Sequence, residues 1–164
     1  RAFTKKELIL FSGYHGWTDW YLAANISSSN NLDEHLLPGL NPLGVPKSLK
    51  NTVISCRFND AIQLNKILKK YKNKIAAIVF EGARNDLPSN DFIRVIKEFK
   101  KIKKFLTISD EITSGFRFCY GGAYNLVNSN PDIVVYGKAI GRFYYSQLVK
   151  NPIRKKIRFN YKRW

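Results

Sequence analysis

The chain has 164 residues, 45% of them apolar and 24% charged. That composition permits one folded domain with a sizeable core, and it excludes collagen-like, low-complexity and wholly disordered chains. The net charge of +16, from 28 Lys and Arg against 12 Asp and Glu, raises nucleic acid as a partner, yet no nucleic-acid-binding motif accompanies it and that class is set aside.

Residues 7–11 (ELILF) read as a strand, and Ser12-Gly13-Tyr14-His15-Gly16 as the loop that follows. Residues 17–25 are amphipathic and read as a short helix. Residues 36–46 hold three of the six prolines and two of the ten glycines, a long irregular excursion of the kind that lines a site in a compact domain. Residues 52–56 form a second strand. Leu64, Ile67, Leu68 and Tyr71 stand at i, i+3, i+4 and i+7, which predicts a helix over 60–71 that faces a core. Residues 75–80 (IAAIVF) are uniformly apolar, as a strand buried on both faces should be. Ser89 is placed to cap a second amphipathic helix, which carries Phe92, Val95, Ile96, Phe99 and Ile102. Residues 105–109 and 133–136 complete the strands. Strand and helix alternating in this way imply parallel pairing with right-handed crossovers in a layered α/β domain, without internal repeats.

The charge is unevenly placed. Residues 141–164 carry eight basic residues and no acid, half of the excess. The lysine runs Lys66 to Lys74 and Lys97 to Lys104 fall opposite the apolar stripes of the two helices and read as solvated faces. Cys56 and Cys119 have no second cysteine or histidine at metal spacing and read as buried thiols, so no metal site is expected. No stretch approaches the ~20 apolar residues of a membrane span, and the first ten residues lack a leader's apolar run. The expectation is a cytoplasmic protein with no membrane partner. Met is absent, and the chain reads as a piece of a longer product.

In open α/β sheets ligands bind beyond the carboxyl ends of the strands. Here those positions hold Tyr14, His15 and Gly16 after the first strand, Glu81 after IAAIVF, Asp110 and Glu111 after FLTIS, and Gly137 and Lys138 after the last strand. A lysine at a strand end facing a buried carboxylate is what a pyridoxal phosphate site requires. The amine forms a Schiff base, the acid keeps the pyridine nitrogen protonated, and an aromatic such as Tyr14 stacks on the ring. Lys138 and Asp110 suit those roles. The pattern alone leaves open that Asp110 caps a turn and that Lys138 is one more surface lysine.

The string Asp110-Glu111-Ile112-Thr113-Ser114-Gly115-Phe116-Arg117, then Gly121-Gly122, then Pro131-Asp132-Ile133-Val134-Val135-Tyr136-Gly137-Lys138-Ala139-Ile140-Gly141, resembles the core of the class III pyridoxal-phosphate aminotransferases. Gly13-Tyr14-His15-Gly16-Trp17 with Asp19-Trp20-Tyr21 is similar to the glutamate-1-semialdehyde 2,1-aminomutase branch. The resemblance implies part of a fold-type I, aspartate aminotransferase-like large domain of α/β class, with pyridoxal 5'-phosphate as cofactor and a homodimer as assembly. It implies transfer of an amino group between a small-molecule amino substrate and an oxo or aldehyde acceptor. A glutamate-1-semialdehyde-type aminomutase and an inactive truncated remnant are the alternatives.

Carried onto this sequence, the resemblance makes Lys138 the Schiff-base lysine and proton shuttle, Asp110 the partner of the pyridine nitrogen and Tyr14 the stacking ring. His15, Gly16 and Ser114 belong to the same cofactor motifs, with a structural imidazole as the second reading of His15. Glu81 stands near the site, followed by Gly82 where the family usually has proline. The glycine-rich segment that cradles the cofactor phosphate is expected upstream of Arg1. Residues 142–164 depart from the family pattern and read as an atypical basic tail, out of frame. Residues 1–141 are therefore expected to be the central part of the large domain, inactive alone.

Overall fold

Five apolar runs build one sheet in the computed structural model, which describes residues 1–102 and 104–139. They are β1 (Leu8–Ser12), β2 (Val53–Ser55), β3 (Ile75–Glu81), β4 (Leu106–Asp110) and β5 (Ile133–Val135). The order is β2-β1-β3-β4-β5 and every pair is parallel. The expected parallel pairing holds. β1, β3 and β4 each run one residue further toward the carboxyl end than the apolar pattern predicts, because Ser12 pairs with Phe80 and Glu81 with Asp110. Ladder bonds come from the backbone and continue under a polar side chain. The basic tail expected at 142–164 lies outside the described residues.

All seven residues of β3 are buried, which its unbroken apolar run requires of a central strand. On one face, Leu8, Leu10, Ile78 and Phe80 pack against Leu64 and Leu68 of a helix over Ala61–Tyr71 and against Phe92, Ile93 and Ile96 of a helix over Asn90–Ile102. Fully burying each such side chain stabilises the fold by ~1.5–3 kcal/mol. Both helices start on polar caps, Ser89 as the sequence predicts and Asp60 in addition. Asp60 Oδ1 accepts the Gln63 N–H at 2.8 Å, and Ser89 Oγ accepts the Phe92 N–H at 3.2 Å; each cap is worth ~1 kcal/mol.

The opposite face is covered differently. Ile9, Phe11, Ala77 and Val79 meet Tyr21, Ala23, Ala24, Leu32 and Val45. Instead of the single helix expected at 17–25 there are two one-turn helices, α1 (Asp19–Leu22) and α2 (Ala24–Ser27). The helices over Ala61–Tyr71 and Asn90–Ile102 are α3 and α4. Asn25, in α2, is drawn into the following loop: its amide nitrogen donates to the Leu40 carbonyl at 2.8 Å and its oxygen accepts the Leu32 N–H at 2.9 Å. Residues 36–46 contain no regular element, as expected, but Leu36, Leu40 and Val45 pack on the sheet. This segment is a covering layer of the sheet.

Two smaller expectations change. Cys56 is buried, and burial together with the Asp60 charge pushes its thiol up to about 12; Cys119 is only half-buried, because it sits in the solvent-side loop after β4. Most of the helical lysines described are exposed, but Lys100 reaches Asp132 Oδ2 at 2.7 Å and Thr107 Oγ1 at 3.0 Å. Asp132 also accepts the Thr107 N–H at 2.8 Å, so that lysine ties α4 to the start of β5. No helix among the described residues is long and apolar enough to cross a membrane.

Candidate active site

Parallel pairing brings the carboxyl ends of β1, β3, β4 and β5 side by side. Ser12 is in register with Phe80, Glu81 with Asp110, and Asp110 with Val135. The loops that leave these ends carry Tyr14 and His15, Arg84, Thr113, and Lys138.

Asp110 closes β4, with its side chain 12% exposed. Oδ1 accepts the Ile112 N–H at 3.0 Å, and Oδ2 lies 2.8 Å from His15 Nδ1. Among the described residues each oxygen has one protein partner, which leaves lone pairs for a further donor. The His15 imidazole is buried. Its Nε2 lies 3.3 Å from the Ser12 carbonyl oxygen, its face stacks on Trp20 at 6.1 Å, and the Tyr21 ring meets it edge-on at 5.7 Å. A ring held on all these sides fixes the direction of the carboxylate it touches.

Tyr14 is half-buried, edge-on to Tyr21 at 6.2 Å. Its N–H donates to Glu81 Oε2 at 3.0 Å, and the same oxygen accepts Arg84 Nη1 at 3.1 Å. Glu81 thus supports the loop after β1 through its backbone. Gly13 requires its missing side chain, since φ is +107° and a Cβ would stand 2.4 Å from Glu81 Oε2. Gly16 has φ +81° with nothing within 4 Å of a Cβ, so among the described residues its glycine serves the turn.

Lys138 is exposed three residues beyond β5, and its Nζ donates to Thr113 Oγ1 at 3.0 Å. Its φ is +43°, a left-handed conformation that costs a side-chain-bearing residue ~1–2 kcal/mol. Such outliers gather at functional sites because the surrounding fold holds them in place.

Ser114 goes elsewhere. Its hydroxyl donates to Glu111 Oε2 at 2.5 Å, away from the Asp110 carboxylate. Glu111 is fully buried and accepts three more bonds, from Ser109 Oγ at 3.1 Å, Tyr124 N–H at 2.8 Å and Ala123 N–H at 3.0 Å. Side chains at Gly82 and Gly122 would collide with it, at 2.1 and 2.8 Å. It anchors the loop after β4.

Sequence reasoning passed over His35 and Arg84. His35 is buried against Phe11 at 5.1 Å, and its Nδ1 accepts the Gly13 N–H at 3.3 Å. Burial first, and then the Arg84 charge, lower its imidazole to about 4. Arg84 Nη2 donates to the His35 carbonyl at 3.2 Å. The available signal was that His35 is one of two histidines in the chain, but no spacing links it to the strand ends.

The sequence and the fold both recur in known proteins. The profile of the aminotransferase class-III family matches residues 1–153, which runs past residue 141. Glutamate-1-semialdehyde 2,1-aminomutase from Wigglesworthia glossinidia brevipalpis is 38% identical over 149 residues, covering 86% of this chain and 33% of that protein. The protein of the same name from Clostridium beijerinckii is 36% identical over 148 residues with the same coverage. The chain therefore spans about a third of the length of these curated relatives. A solved structure described as a transaminase with PLP bound superposes at TM-score 0.71 and 25% identity, over 91% of this chain and 34% of that one. An omega-transaminase from Sphaerobacter thermophilus, 23% identical over 88% of this chain and 34% of its own, shares the fold at TM-score 0.71. The five-stranded parallel sheet is thus part of a fold-type I domain, and the chain belongs to the aminotransferase class-III family.

Proposed function

We propose that this chain carries the pyridoxal-phosphate-binding edge of an enzyme that moves an amino group between a small-molecule amino substrate and an oxo or aldehyde acceptor. Residues 1–141 would be the central part of its large domain, and the intact enzyme a homodimer. The observation that carries the reading is the 2.8 Å pairing of Asp110 with His15 on the strand edge that also bears Lys138.

The side chains present fit that cofactor. Asp110 keeps acceptor capacity on both oxygens, Tyr14 offers a half-buried ring, and Lys138 offers an exposed primary amine. Asp110 would hold the pyridine nitrogen, Tyr14 a face of the ring and Lys138 the carbonyl carbon. Bound pyridoxal phosphate supplies a protonated pyridine that takes up the electron pair left on the substrate's α carbon. Asp110 holds the proton on the ring nitrogen, since a carboxylate beside it favours the charged pyridinium. His15 keeps that carboxylate aimed. Lys138 Nζ, released from Thr113, would take the proton from the substrate's α carbon and deliver it to the cofactor's former carbonyl carbon, so that the amino group leaves the substrate. Glu81, Gly16 and Ser114 act at a distance, through the loops they shape.

A second reading has its own support. Both curated relatives described above are named as glutamate-1-semialdehyde 2,1-aminomutases, and an aminomutase would use the same proton transfer at Lys138 but return the amine to the neighbouring carbon. Borohydride reduction of the chain with pyridoxal phosphate, followed by peptide mass spectrometry, tests the shared part. A single adduct at Lys138, lost in Lys138→Ala, is expected; adducts scattered over exposed lysines, or none, would sink it. Glutamate-1-semialdehyde given to the active protein then separates isomerisation from amino exchange with an added oxo acceptor.

A further inference from the structure

We propose that His35 and Arg84 are positioning residues that lock the Gly13 to His15 turn and thereby set the Tyr14 ring and the Asp110-directed imidazole. What those two groups serve rests on the reading above; the lock itself rests on geometry. Three polar backbone groups of the turn end on side chains from remote segments. The Gly13 N–H donates to His35 Nδ1 at 3.3 Å, the Gly13 carbonyl accepts the Tyr21 hydroxyl at 3.0 Å, and the Tyr14 N–H donates to Glu81 Oε2 at 3.0 Å. Arg84 joins two of these supports, with Nη1 on Glu81 and Nη2 on the His35 carbonyl.

The tautomer agrees with the geometry. To accept the Gly13 N–H, Nδ1 must carry no proton, so the ring is neutral and protonated on Nε2. Burial favours that neutral form, and the guanidinium of Arg84 reinforces it. The lock matters because Gly13, at φ +107°, is the most permissive residue of the turn and has many other conformations open to it once its partners are gone. His15 follows two residues later, and its 2.8 Å contact with Asp110 does not survive a shift of an ångström.

The two histidines of the chain make the test direct. In ¹H–¹⁵N spectra of the full chain, the His15 Nδ1–H signal reports the Asp110 bond. It should persist in the parent protein and in His35→Asn, whose side-chain oxygen can still accept from Gly13. It should vanish through water exchange in His35→Leu and in Arg84→Met. Thermal unfolding of the same samples separates this from a purely structural role, which lowers Tm while leaving the signal in the folded protein. An unchanged signal in folded His35→Leu overturns the proposal; if that variant does not fold, an unchanged signal in folded Arg84→Met does so. No cofactor is present, so a chain that shows the lock yet never traps pyridoxal phosphate at Lys138 sinks only the earlier reading.

Discussion

Asp110 and Glu111 are adjacent carboxylates at the end of β4, and the fold treats them oppositely. Glu111 is fully buried and its two oxygens take four donors from the chain. Asp110 stays 12% exposed and has, among the described residues, one protein partner on each oxygen. A buried carboxylate is tolerated when its lone pairs are filled by its own chain, and it is then a fastener. One left with open acceptor capacity at a solvent-facing edge is available to a ligand. The difference lies in who supplies the donors.

Removing the fastener should have the largest effect. Glu111→Ala leaves the Ala123 and Tyr124 N–H groups and two hydroxyls without their acceptor, and the cost should be about 4 kcal/mol of unfolding free energy. Asp110→Ala, at the neighbouring position, should cost less than about 1.5 kcal/mol, because it unpairs fewer groups and those lie nearer water. Urea denaturation of both variants checks the contrast; equal losses would erase the distinction drawn between them.

Gly13→Ala comes next, at about 2–3 kcal/mol, since the new Cβ meets Glu81 Oε2 at 2.4 Å and the residue has φ +107°. The lost stability should be accompanied by loss of the His15 to Asp110 contact, which Glu111→Ala would spare in any folded molecule. Acid has a smaller effect through His35. Its folded pKa of about 4 lies below the unfolded 6.5, so the unfolded chain binds more protons between those values. The stability that neutral His35 contributes is therefore complete above about pH 6.5 and is lost as pH falls toward 4. Between pH 6.5 and 5.5 that loss is about 1 kcal/mol. His35→Asn should remove this dependence, and a parent and variant with parallel pH profiles would contradict the assignment.

The sequence made the frame legible because the frame depends on short-range pattern. The apolar run of β3, the i, i+3, i+4, i+7 stripe of α3 and the cap at Ser89 each announce themselves within a few residues. The layer over residues 17–45 was less legible, because Asn25 bonds Leu32 and Leu40 in place of extending a helix. Lys138, Asp110, Tyr14 and His15 are singled out in the sequence because strand ends concentrate polar residues, and the fold carries all four at or just beyond carboxyl ends of the sheet. Ser114 and Glu111 share that address but face into the protein, and a strand-end rule cannot tell which way a loop turns. His35 and Arg84 lie 22 and 71 positions from Gly13, and only the folded chain brings them to it.

The smallest effect expected is the most telling for Lys138. Its left-handed backbone, φ +43°, opposes the preference of any residue with a Cβ, and its one bond among the described residues is the exposed contact with Thr113. Lys138→Gly relieves the backbone strain and gives up that weak bond, so stability should rise by up to ~1 kcal/mol. The borohydride adduct would disappear in the same variant. A gain in stability together with loss of the amine chemistry is expected where a fold holds a residue against its own preference for the sake of a reaction. A clear loss of stability in Lys138→Gly would instead place Lys138 with Glu111, among the residues that hold the fold together.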